Sequence, residues 1–93
     1  MRKEAIFVDV WVVSYFNALD SSHRNTIHST CNDAISDFSA IANEAINFAS
    51  KKMSDFRVVR NVNTLTIYDV EDDRMVISCE ALAHTIQCGT MYM

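Results

Sequence analysis

Gly89 is the only glycine among the 93 residues, and there is no proline. This constrains the accessible folds and functions more than any other feature of the chain. A phosphate-cradling loop, a dinucleotide-binding turn and a nucleophile elbow all need glycine where backbone approaches phosphate or turns sharply. A chain with one glycine builds none of them, so those enzyme classes drop out. Its turns must instead use Asn and Asp, which tolerate left-handed backbone and bond to their own main chain.

Composition sets the remaining bounds. Half the residues are hydrophobic (49%), 22% are charged and the mean hydropathy is +0.02, the profile of an ordered chain. At this length residues 1–93 form a single domain, one that buries roughly 60–70% of its unfolded surface. Twelve acids against eight bases leave a net charge of −4. That argues against a direct grip on nucleic acid or on an anionic membrane, both of which use clustered Lys and Arg. The start, MRKE followed by apolar residues, resembles a signal peptide. Asp9, Trp11 and Tyr15 interrupt it, however, and no small-residue cleavage site follows. The run is also far short of the roughly 20 residues of a membrane span. The expected location is the cytoplasm, that of the host cell if the chain is virus-encoded. Three widely spaced cysteines, Cys31, Cys79 and Cys88, agree with a reducing compartment.

Residues 5–16, AIFVDVWVVSYF, are rich in β-branched and aromatic side chains and predict a strand. Alternation puts Ile6, Val8, Val10 and Val12 on one face and Phe7, Asp9, Trp11, Val13 and Tyr15 on the other. Residues 17–25 are polar and turn-like. From Ile27 the apolar positions Ile27, Cys31, Ala34, Phe38, Ile41, Ala45 and Phe48 step by four and three, which predicts a long helix starting between Ser22 and Thr30. Lys51 and Lys52 in its last turn complement the helix dipole. Strand-like runs follow at 56–62, 64–70 and 74–77. ISCEALAHTIQCG then predicts a short C-terminal helix, with Ser78 as N-cap, Ile77 and Leu82 as a hydrophobic staple and Gly89 as the closing cap. The expected fold is α+β: a small, mainly antiparallel sheet in the order strand, long helix, two or three strands, short helix, with the long helix on one face. The first strand is apolar on both faces, so its Trp11 face needs a second cover from the short helix, a second copy or a partner.

The stretch HRNTIHSTCND, residues 23–33, carries two histidines and a cysteine. On a helix His28 and Cys31 lie about 60° apart, whereas His23 lies about 140° from His28, so the three do not converge. A zinc site needs His84 and Cys88 as well, giving a two-histidine, two-cysteine set with His28 and Cys31. Ordinary helix is the expectation, with no metal and no cofactor. A nucleophilic pair, Cys79 with His84 or Cys31 with His28, would need an orienting group and a cleft as well. Asp69, Glu71, Asp73 and Glu80 match a calcium-loop template, but Arg74 stands where that template requires glycine. Asp69, Glu71, Asp72 and Asp73 are instead expected to form a solvated turn that doubles as an acidic knob for a basic partner. Lys51, Lys52, Arg57 and Arg60 form a modest basic cluster, the alternative site for a small anionic ligand such as a nucleotide.

The expectation is thus a non-enzymatic protein-binding module, an inhibitor or adaptor of the kind phage and mobile elements use against host machinery. It would form a homodimer and bind another protein through Phe7, Trp11 and Tyr15 and through Asp69, Glu71, Asp72 and Asp73. An oligomeric small-ligand module and a zinc-stabilised domain are the alternatives.

Overall fold

The structure, a computed structural model, describes residues 3–92, apart from the side chains of 88 and 90–92. Its elements are β1 (Lys3–Asn17), β2 (Ser22–His28), α1 (Cys31–Lys52), β3 (Phe56–Arg60), β4 (Thr64–Asp69) and β5 (Arg74–Tyr92). The strands form one antiparallel sheet in the order β2-β1-β5-β4-β3, and α1 packs on one face. An α+β sheet carrying one long helix is therefore what the pattern produces. Hairpins make three of the four strand pairings. The fourth, β1 with β5, joins the two ends of the chain and is the longest.

Register sorts the side chains into two faces. Trp11, Val13, Tyr15 and Asn17 of β1 stand opposite Ala83, Ala81, Cys79 and Ile77 of β5, and Leu65 and Ile67 of β4 continue the row. Against these lie Ala34, Phe38, Ile41, Ala42, Ala45 and Ala49 of α1, all buried. Four alanines let the helix axis approach the sheet, while Phe38 and Ile41 fill the space between. Thr30 caps the helix, its hydroxyl accepting from the Asp33 N–H at 3.2 Å. The predicted stripe is correct from Ala34 onward. Ile27, by contrast, lies on β2 with its side chain 67% exposed, and Cys31 is exposed in the first turn.

The turns are built without glycine, as the composition requires. Between β1 and β2 the Asn17 side chain accepts from the Leu19 N–H at 2.9 Å and donates to the Tyr15 hydroxyl at 3.0 Å, although Asn17 is fully buried. Asp20 accepts from both the N–H and the hydroxyl of Ser22, and Ser21 takes a positive φ of 59°. Between β4 and β5, Asp69 accepts from the Glu71 N–H and Asp73 adopts φ 50°. β2 itself is a correction: the polar run expected as a turn is half strand, because hydrogen bonding to β1 over seven residues outweighs its poor strand propensity.

The C-terminal helix does not form. Residues 78–89 belong to β5, and Ser78 pairs with Phe16 rather than capping a helix. Helix propensity in EALA is real but small, a few tenths of a kcal/mol per residue. Fifteen paired positions with β1 and six with β4 outweigh it. The alternation of Ile77, Cys79 and Ala81, all buried, with Ser78, Glu80 and Leu82 is the period-two signal that favours the strand. Gly89 stands opposite Ile6 with no positive φ, next to a bulge at Cys88.

Candidate functional site

Twenty-two helical residues extend about 33 Å, whereas the fifteen of β1 extend about 50 Å. The strands therefore outrun their cover. β2 pairs with β1 only from Trp11 onward, and β4 pairs with β5 only up to Glu80. Residues 3–10 of β1 and 84–92 of β5 project as a two-stranded arm. Among the described residues no other strand pairs with either edge. The molecule measures 64 × 23 × 18 Å with a radius of gyration of 17.3 Å, against about 12 Å for a compact domain of this length.

One face of the arm is apolar, and the other is mixed, with Asp9, Thr85 and Gln87 beside Phe7. Ile6, Val8, Leu82 and Ile86 share one face with Val10 and Val12 and are 37–44% exposed. That face runs on over β2 to Ile27 and along β1 to Phe16, which are exposed too. The other face carries Phe7, 60% exposed, together with Asp9, whose carboxylate accepts from the Thr85 hydroxyl at 2.7 Å. Beyond the arm the open face hollows into a cleft of about 540 Å³ floored by Ser14, Thr66, Ser78 and Glu80. A smaller cleft of about 300 Å³ lies between β2 and α1, lined by Tyr15, Arg24, Glu44 and Phe48 among others.

The expected cover is inverted. Helix α1 lies on the Trp11 face, where Trp11 and Tyr15 pack half-buried against the core. The uncovered face is that of Ile6, Val8, Val10 and Val12. Phe7 shares the helix side but lies out on the arm. The acidic turn is remote from it: from Arg74 to Gln87, the partner of Phe7, β5 spans about 43 Å. Asp69 is half-buried there, Glu71, Asp72 and Asp73 are exposed, and Arg74 lies 3.7 Å from Asp72. Phe7 and the acids thus mark opposite ends of the molecule.

The basic residues are likewise dispersed. Arg57 stacks 4.6 Å from the centre of the Tyr68 ring on the open face, whereas Arg60 donates to Asn43 of α1 at 3.0 Å on the helix side. Lys51 and Lys52 end α1, and Lys52 sits 5.8 Å above the Phe48 ring. His28 projects toward α1 and His84 toward the open face, so the four-residue zinc set is not gathered; the Cys88 side chain lies outside the described residues. Among the described residues no group of three or more His, Cys, Asp or Glu is arranged to hold a metal. Cys79 and His84 also face opposite sides of β5, and burial pushes the Cys79 thiol up to about 11.

The sequence did not single out Asp37. Its carboxylate accepts from the Thr26 hydroxyl at 2.5 Å and lies 2.9 Å from His28 Nε2, joining α1 to β2. The Thr26 bond, with help from His28 and Arg24, holds its carboxyl below the ordinary value against partial desolvation. A signal was present: Asp37 flanks the buried stripe, three residues after Ala34 and four before Ile41.

No protein-family model matches the chain, and no curated protein or solved structure shows significant similarity to it. Among the described residues no helix is long and apolar enough to cross a membrane.

Proposed function

We propose that this chain is a non-enzymatic protein-binding module, acting as an inhibitor or adaptor, whose contact surface is the apolar face of the β1–β5 arm. One observation carries the proposal. A two-stranded ribbon is marginal in water on its own, yet this one extends past its helix with Ile6, Val8 and Ile86 on one face, all more than one-third exposed. Contiguous exposed apolar surface of this kind marks a protein contact site. Docking a protein there removes it from water and orders the ribbon in the same step. The 43 Å separation excludes the acidic turn from that surface, so the arm is the primary contact.

A photo-crosslinking side chain at position 86 tests this in the protein's native cellular setting. Irradiation is expected to yield discrete protein adducts, which Val8→Asp on the same face abolishes. Irradiation that yields no protein adduct, or adducts indifferent to Val8→Asp, overturns the proposal.

A further inference from the structure

We infer that the cleft on the open face of the sheet binds a pyranose sugar, its hydroxyls held by Ser14, Asn25, Thr66, Ser78 and Glu80 and its ring by Phe16. The inference goes beyond the protein-binding proposal and does not rest on it, since the cleft lies past the end of the arm.

Register assembles the site. Asn25 of β2, Ser14 of β1, Glu80 of β5 and Thr64 of β4 stand in one row across four strands. The next row on the same face sets Phe16, Ser78 and Thr66 side by side. Neighbours in a row lie about 4.8 Å apart and the two rows about 6.7 Å, so the patch measures about 14 × 7 Å. All seven residues line the cleft of about 540 Å³. On the arm side the adjoining row is Ile27, Val12 and Leu82, so polarity changes within one step of the register.

The polar groups of this floor are unused by the chain itself. Among the described residues, the side chains of Ser14, Asn25, Thr66, Ser78 and Glu80 make no hydrogen bond or ion pair. Thr64 accepts from the Asn61 amide at 3.1 Å, and its own hydroxyl proton remains to be donated. Other strand hydroxyls behave differently: Thr26 donates to Asp37 and Thr85 to Asp9. No polar side-chain atom among the described residues is buried without a partner, so the groups of the cleft open on solvent.

That inventory selects the ligand. Serine and threonine hydroxyls and the Asn25 amide both donate and accept, whereas the Glu80 carboxylate only accepts. A matching ligand presents several hydroxyls on one small frame, and two adjacent hydroxyls can donate to the two oxygens of Glu80. Phe16, 46% exposed at the edge of the cleft, offers a ring face to the weakly positive C–H bonds of a sugar ring. A phosphate group fits poorly, because it would meet Glu80 and no Lys or Arg lines the cleft. An apolar ligand would strip water from five polar groups and return no hydrogen bonds. A polyhydroxylated ring satisfies both requirements.

The test is titration of the isotope-labelled full chain with glucose, galactose and mannose, each as free hexose and as methyl glycoside, followed by amide chemical shifts. At least one is expected to bind in the millimolar range and to shift Ser14, Phe16, Ser78 and Glu80. A response to the methyl glycoside assigns the ligand as a ring within a glycan, and a response to the free hexose alone assigns a free sugar. Phe16→Ala and Glu80→Gln are each expected to weaken binding about tenfold. Both side chains are exposed, so the variants keep the fold, which unchanged shifts of the buried residues verify. No shift with any of these sugars, shifts centred outside the two rows, or variants that bind like the native chain overturn the inference. None of these outcomes involves crosslinking from position 86, so the protein-binding proposal stands or falls separately.

Discussion

Asp37 shows how one side chain ties two elements together and makes their contact depend on pH. Its hydrogen bond from Thr26, first, and its contacts with His28 lower its carboxyl below the ordinary value. The folded group therefore binds a proton less readily than the unfolded one. Stability from this cluster is present above the unfolded value, about 3.9, and is lost as pH falls through the lower folded value. Urea unfolding from about pH 5 downward is expected to show a decline that Asp37→Asn makes shallower, with the variant about 1 kcal/mol less stable at neutral pH. Equal acid slopes in the two proteins would refute the role. At the same scale, the turns at Asn17, Asp20 and Asp69 were legible in advance, because an Asx side chain bonding two residues ahead needs only local sequence.

Elements were legible where their period was long and unambiguous. Phe38 anchors the predicted helix: it is fully buried among Val13, Ile77 and Leu65 in one core cluster. Phe38→Ala removes most of that packing and is expected to cost about 3–5 kcal/mol, read as a lower urea midpoint with an unchanged slope. A cost below 1 kcal/mol would mean that α1 is not seated on the sheet as described. β5 was not legible as one strand. Glu80, Ala81, Leu82 and Ala83 favour a helix locally, and their alternation is short, so the choice fell to hydrogen bonds with β1, seventy residues away in sequence. The Thr26–His28–Asp37 cluster was hidden for the same reason. Thr26 and His28 fall where the expected helix start was left open, whereas β2 and α1 bring them to Asp37 from two elements.

For the whole molecule the arm is the defining feature, and solution scattering measures it directly. A monomer with the arm extended is expected to have a radius of gyration near 17.3 Å, whereas a chain folded back into a globule would give about 12 Å. Values near 12 Å at all concentrations would remove the arm, and with it the exposed face. The apolar character of both faces of residues 5–16 was visible in the sequence, but which face α1 would cover was not.

The sequence by itself determined the class of fold, the single long helix and the Asx-built turns. Each of these follows from local periodicity or from residues that are simply absent. Only the tertiary structure decided that the C-terminal segment is a strand, that α1 covers the Trp11 side, and that β1 and β5 run on past their cover. These outcomes depend on pairing between the two ends of the chain. Register across such a distance is set by packing the whole sheet at once, which no local window of residues contains.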